Sequence, residues 1–317
     1  MANHSKDSSC VVLELVCVVS VLAALALAYP AVADDLIFRG DFESGDLCDW
    51  SEVVPPPGNC PISIDLPNGA AMDLVYIPAG VFFMGSSEDE RGRSSNEDLH
   101  EVSLTQGYFM GATEVTQGQW QAVTGSPMSY SCGITFGIGA DYPVYCVSWD
   151  DIAGPGGFFE LLNAHLTSTG QPGAGMFRLP TEAEWERGAR GGTQTEFSFA
   201  ASPDWDLECG PFQEADLHMW WCGNDNTQSE PVGSKLSNPY DVHDMHGSLW
   251  EWVQDWYVFH IGYDPVIDPT GPASGTYRVV RGGFWAENAE DCRSASRHFN
   301  NPSGSSAAYG FRVVRSE

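Results

Sequence analysis

Basic residues are scarce in this 317-residue sequence: 14 Lys and Arg stand against 43 Asp and Glu, a net charge of −29. A field of that sign repels nucleic acid and anionic membrane surfaces, so neither is expected as a partner. It favours divalent cations wherever carboxylates gather. Long apolar runs are equally scarce. Val11 to Ala28, broken by Glu14, is the one run that approaches a bilayer's span. Lys6 precedes it and Ala31-Val32-Ala33 follows as a small-x-small cleavage site, so residues 1–33 read as a signal peptide cut before Asp34. The mature chain is then expected to carry no membrane span and to be secreted or periplasmic, in a bacterial setting. No Leu-x-x-Cys lipobox closes the leader, which argues against lipid anchoring. There is no CxxC or Cys/His ladder, which excludes a structural zinc site, and no GxSxG, which excludes a nucleophile-elbow hydrolase. No internal repeat is evident.

What is present suits a globular protein: 43% hydrophobic and 18% charged residues. Cysteines outside the leader suggest neighbouring pairs, Cys48–Cys60, Cys132–Cys146 and Cys209–Cys222, with Cys292 left over. Spacing does not prove connectivity, but an exported chain favours bridges. Residues 34–70 form a short acidic segment with a stiff Pro55-Pro56-Pro57-Gly58 linker.

From Met72 the pattern becomes that of a folded domain. Leu74 to Ile77, Val81 to Met84 and Val102 to Met110 read as strands, and the charged stretch Ser86 to Asp98 as a surface loop. Thr116 with Gln119 and Thr181 with Glu184 form capping boxes, stopped by Gly125 and by Gly191-Gly192. Ser148 and Asp151 mark a third start. Gly154-Pro155-Gly156-Gly157 interrupts it, and a helix is expected to resume from Phe158 to about His165. Long loops, Asn224 to Asn238 and Pro265 to Gly275, complete the pattern of an α+β domain with short strands, few short helices and much irregular backbone.

The densest stretch is Asp244 to Trp256, DMHGSLWEWVQDW. Gly247 marks a position of positive φ or close backbone approach. Asp244, Glu251 and nearby carbonyls offer the oxygen donors a hard cation requires, although solvated acids beside a tryptophan-rich core would give the same pattern. His243 and His246 read as turn histidines.

This stretch resembles the signature of the formylglycine-generating enzyme, or sulfatase-modifying factor, family. Further pieces follow in the family's order: MDLVYIPAGVFFMGS, EVTQGQW, PVYCVSW, RLPTEAEWERGARGG, RVVRGGFW, CRSASR and GFRVVR. The resemblance runs from Ala71 to Arg315 and implies a single loop-rich domain related to C-type lectins. It implies a structural Ca²⁺ held by Asp244 and Glu251 side chains with Gly247 and Leu249 carbonyls, and loosely a second ion near Asn224. The Gly-Pro-Gly-Gly insert departs from the family pattern.

The same resemblance exposes a gap. Active oxidases of the family hold Cu(I) on two cysteines five positions apart, as soft thiolates require. Ser294 aligns with the second of these and Ala289 with the first; Cys292 is offset from both, and Phe284 replaces the serine usual after the paired glycines. Copper is therefore not expected. The cleft candidates are Cys292, Arg293, Ser294, Arg297 and His298, with Arg293 and Arg297 able to face an acidic ligand. Arg281 and Arg312 are expected to make internal ion pairs. The function so read is a calcium-stabilised module that binds a peptide, protein or glycan. The alternatives are a formylglycine-generating oxidase with a rearranged Cys292 site, or a non-haem iron oxygenase on the same fold.

Overall fold

The computed structural model describes residues 62–316 except 130–131, 133–135, 172–174, 200–208 and 225–226. The leader, residues 34–61 of the acidic segment and the Cys48–Cys60 pair lie outside the described residues.

The first strand, β1 (Ile62–Asp65), pairs antiparallel with β2 (Ala71–Ile77), so the domain's first strand lies upstream of the expected boundary at Ala71. The expected strand after the Pro-Ala-Gly turn is β3 (Gly80–Met84). The single strand expected over Val102–Met110 is two, β4 (His100–Leu104) and β5 (Tyr108–Gly111), which join different sheets. The later strands are β6 (Phe177–Arg178), β7 (Trp250–Trp256), β8 (Val266–Ile267), β9 (Arg278–Arg281), β10 (Arg297–Asn300), β11 (Tyr309–Gly310) and β12 (Val314–Ser316). They build a five-stranded sheet in the order β1-β2-β5-β12-β6, a four-stranded sheet β10-β9-β7-β11, and a three-stranded sheet β3-β4-β8. The architecture is α+β and loop-rich, as the sequence pattern predicts.

Helices start where their caps predict. Helix α1 (Gln117–Thr124) has Thr116 and Gln119 in a reciprocal capping box and ends at Gly125 with φ of 73°. Helix α2 (Trp149–Ala153) is capped by Ser148 and Asp151 and stops at Gly154. Helix α3 (Phe158–Thr169) resumes at the predicted residue and runs a turn past His165 before Gly170 stops it. Helix α4 (Glu182–Arg190) is capped by Thr181 and Glu184, with Gly191 at its end. A short helix α5 (Gln213–His218) follows. Local hydrogen bonds decide these boundaries, so sequence suffices to find them.

One core gathers Trp120, Phe158, Phe159 and Phe311 with Trp250 and Trp252, and a second joins Trp185 and Met110 to Val253 and Val279. Strand β7 serves both. Its residues Trp250, Glu251, Trp252 and Val253 are all buried, so the pattern is not an aromatic face opposite a solvated acid. The stretch Ser86–Asp98 has no regular structure, yet Ser86, Asn96, Glu97 and Asp98 are buried; the surface-loop reading holds for only part of it. Disulfides join Cys132 to Cys146 and Cys209 to Cys222, and Cys292 is free and buried. Among the described residues no helix is long and apolar enough to cross a membrane.

Candidate functional site

The turn before β7 is built around close backbone approach. Gly247 has φ of 81°, and a Cβ there would collide with the carbonyl oxygen of Trp220. Asp244 and Ser248 also adopt positive φ, at 59° and 60°. This coil brings Asp244, Glu251 and Glu114 together below the surface. Glu114 Oε1 accepts from the Leu249 amide at 3.1 Å and Oε2 from the Ser248 hydroxyl at 3.1 Å. Asp244 Oδ2 accepts from the Gly233 amide at 2.6 Å, while its Oδ1 is buried without a partner.

Glu251 is engaged differently. Arg312 Nη2 donates to its Oε1 at 2.6 Å and Arg312 Nε to its Oε2 at 2.7 Å, while Trp185 Nε1 donates to Oε2 at 2.7 Å. Three buried carboxyls therefore face one guanidinium. Burial, with Asp244 and Glu251 as charged neighbours, pushes the Glu114 carboxyl well above the usual carboxylate range. Burial also raises Asp244. The sequence offered no sign that Glu114, a residue of the EVTQGQW piece, joins this cluster. Among the described residues, no three His, Cys, Asp or Glu side chains converge as a metal-ligand cluster. Any ion here would have to draw on backbone carbonyls. Asn224 Oδ1 accepts from the Trp221 amide at 3.1 Å and its amide donates to the Met219 carbonyl at 3.0 Å, so its side chain ties the local turn.

The second locus is the segment where the resemblance implies the family's thiol pair. Ala289 lies in a 3₁₀ turn (Ala289–Cys292), and Ala289, Cys292 and Ser294 are all 0% exposed. Ala289 and Cys292 pack in an apolar cluster with Phe197, Phe199, Phe212, Met219 and Trp221. Gly283, with φ of 77°, has its hydrogen against the Cys292 sulfur, where a Cβ would sit at 2.7 Å. Burial, with Glu287 and Asp291 nearby, raises the Cys292 thiol well above its usual value. It is a protonated, sealed side chain and not a nucleophile. The Ser294 hydroxyl is buried with no hydrogen-bond partner.

The two arginines expected at the cleft are committed elsewhere. Arg293 donates to Glu97 at 2.6 Å and to Glu90 at 2.6 Å. Arg297 donates to Glu182 at 2.6 Å and to the Asn96 carbonyl at 2.7 Å. Both are buried, so neither faces a ligand. Their acids lie in stretches that carry no sequence mark of pairing. Arg281 and Arg312 make the expected internal pairs, Arg281 with Glu182 and Glu186. His298 is exposed on β10 with its ring edge-on to Trp250 at 5.5 Å. His246 is a buried turn residue whose Nδ1 lies 2.8 Å from the Cys292 carbonyl. Burial lowers its pKa to about 4, so it is neutral in the fold.

Comparison with known proteins gives the fold a family. The model of the sulfatase-modifying factor enzyme 1-like domain matches residues 65–317. Serine/threonine-protein kinase pkn1 of Chlamydia caviae is 30% identical over 267 residues, covering 77% of this chain and 38% of the kinase's length. Formylglycine-generating enzyme of Mus musculus is 28% identical over 302 residues, covering 77% of this chain and 75% of the enzyme. Among solved structures, Treponema denticola variable protein 1 superposes with a TM-score of 0.66 at 27% identity, over 81% of this chain and 99% of that one. PvdO from Pseudomonas aeruginosa does so with a TM-score of 0.66 at 25% identity, over 82% of this chain and 100% of its own. With its motifs in order, its three sheets in place and a matching domain model over most of its length, the chain belongs to the sulfatase-modifying factor enzyme 1-like domain family.

Proposed function

We propose that this chain is a binding member of its family: an exported, calcium-stabilised module that recognises a peptide, protein or glycan and does not oxidise cysteine. The observation that carries this reading is the sealed segment Ala289–Ser294. Where the oxidases have two thiols, this chain has a methyl group and a hydroxyl, and Cys292 is the one free cysteine among the described residues. One sulfur cannot supply the two-coordinate thiolate site that Cu(I) takes. The disulfides Cys132–Cys146 and Cys209–Cys222 support an oxidising, extracytoplasmic setting.

Calcium fits the turn at Asp244. Its Oδ1 is an orphaned buried oxygen, and the three carboxyls of Glu114, Asp244 and Glu251 are buried around the single guanidinium of Arg312. Asp244, with the carbonyls of Gly247 and Leu249, would hold the ion, and Glu251 would share its charge between the ion and Arg312. The ion supplies charge neutralisation and stiffening of an irregular turn.

The test is incubation of the purified protein with Cu(I), O₂ and a peptide containing Cys-x-Pro-x-Arg, followed by mass spectrometry. No aldehyde is expected. Aldehyde formation that disappears in Cys292→Ser would overturn the reading and make the protein an oxidase.

A further inference from the structure

A cavity of about 580 Å³ shares no lining residue with either locus above. Its walls are Trp149 at the start of α2, Trp256 at the end of β7, and Arg278 at the start of β9. Gln254, Arg178 and the 270–273 loop complete it. The volume falls within the range of small-molecule sites, about 300–1,000 Å³.

Arg278 is the unusual group. Trp256 and Arg278 are cross-strand partners, and the guanidinium carbon stands 3.5 Å from the Trp256 ring centre and 3.7 Å from that of Trp149. A guanidinium between two indoles is held flat, with its donors directed outward in its own plane. Nη1 donates to the Gln254 carbonyl, and Trp149 is fixed in turn by its Nε1 donating to the Val253 carbonyl at 3.0 Å. Nε has no acceptor. Asp150 and Asp255 are near enough to act on its charge, yet Arg278 forms no ion pair among the described residues. By contrast Arg178, across the groove, is closed by a two-point pair with Glu184 at 2.7 Å for each bond.

We propose that this groove binds an acidic sugar, with the carboxylate of a uronic acid on the open donors of Arg278 and the pyranose ring against the indoles of Trp149 and Trp256. An oriented, unpaired guanidinium selects a planar carboxylate. Trp149 and Trp256 are partly exposed, and the indole surface that Arg278 does not cover offers apolar contact to the carbon–hydrogen face of a sugar. The Gln254 amide and the Thr270 hydroxyl supply the hydroxyl contacts. A peptide is disfavoured because the strand bordering the groove, β6, is two residues long and too short to template an added strand. This inference names a ligand for the binding-module reading and rests on it.

The test uses the full chain and four probes: tetragalacturonate, neutral maltotetraose, tetraglutamate, and the Cys-x-Pro-x-Arg peptide with Cu(I). Tryptophan fluorescence and calorimetry read binding. Saturable binding of tetragalacturonate is expected, at least tenfold tighter than of either maltotetraose or tetraglutamate. Arg278→Gln should weaken it at least tenfold. Because Arg278 lies in a sheet, a second variant, Ala273→Trp, fills the groove from the exposed loop and should also abolish binding with an unchanged melting midpoint. No saturable uronate binding, equal binding of the neutral sugar or the acidic peptide, or full binding by a folded Ala273→Trp protein would each overturn the assignment. Absence of uronate binding without aldehyde formation sinks the ligand alone. Aldehyde formation sinks the binding-module reading beneath it.

Discussion

Glu251 and Arg312 meet at 2.6 Å across a buried junction in which the two side chains are 1% and 0% exposed. The contact ties the tryptophan-rich strand β7 to the terminal Gly-Phe-Arg piece, 61 residues away. Arg312 also donates to the carbonyls of Gly111 and His243, so one guanidinium fastens three segments.

Removing that guanidinium should be costly. Arg312→Met leaves Glu251 buried and unpaired beside Glu114 and Asp244, and a loss of about 3–5 kcal/mol is expected. Urea denaturation measures it. The double variant Glu251→Gln/Arg312→Met should recover part of the loss. A single variant as stable as the parent would show that the pair does not hold the junction.

Calcium should stabilise the fold. Titrating Ca²⁺ into chelator-treated protein is expected to give a saturable heat and a higher melting midpoint, worth about 2.7 kcal/mol at a hundredfold excess over Kd. Asp244→Ala should remove both signals. No heat and no shift in the parent protein would count against an ion at this turn.

Asp255 should make stability fall as pH rises. Burial first, then the Glu182 carboxylate, raises its pKa from 3.8 to about 7, and it accepts from the Glu182 amide at 2.8 Å. The folded state keeps its proton between those values while the unfolded state loses it. The contribution is thus intact below about pH 4 and is lost as pH climbs toward 7. Asp255→Asn should flatten this fall and leave the variant more stable at pH 8, by on the order of 2–4 kcal/mol. Parallel stability–pH curves for parent and variant would refute the assignment.

Cys292 should be silent in the native protein. With its thiol buried and its pKa raised, alkylation by iodoacetamide at pH 8 is expected only after unfolding. Labelling of the folded protein at the rate of an exposed thiol would contradict the sealed site.

The cleft shows how far residue order can be read. Set against the two-thiol pattern that the resemblance implies, Ala289, Cys292 and Ser294 stand out in the sequence, and the structure adds that all three are buried. The fates of Arg293 and Arg297 were not legible. Their charge suggests a ligand-facing role, yet Glu97 and Glu182 claim them from 196 and 115 residues away. Trp149, Trp256 and Arg278 stood in named motifs without any sign that they share one groove. The sequence left Glu251 open between a cation ligand and a solvated acid, because a carboxylate between tryptophans suits either until Arg312 is seen opposite it.

Sequence alone determined the elements whose physics is local. Capping boxes at Thr116, Ser148 and Thr181 close within three residues, and glycines at Gly125 and Gly191 stop helices by their own φ. For Cys132–Cys146 and Cys209–Cys222, separations of 14 and 13 positions suggested the bridges and the tertiary structure decided them. Only the tertiary structure decided which buried acid faces which arginine, that Arg278 makes no ion pair among the described residues, and which residues form the groove walls. Coulomb and packing energies depend on distance in space, and three sheets bring together residues that the chain order keeps apart.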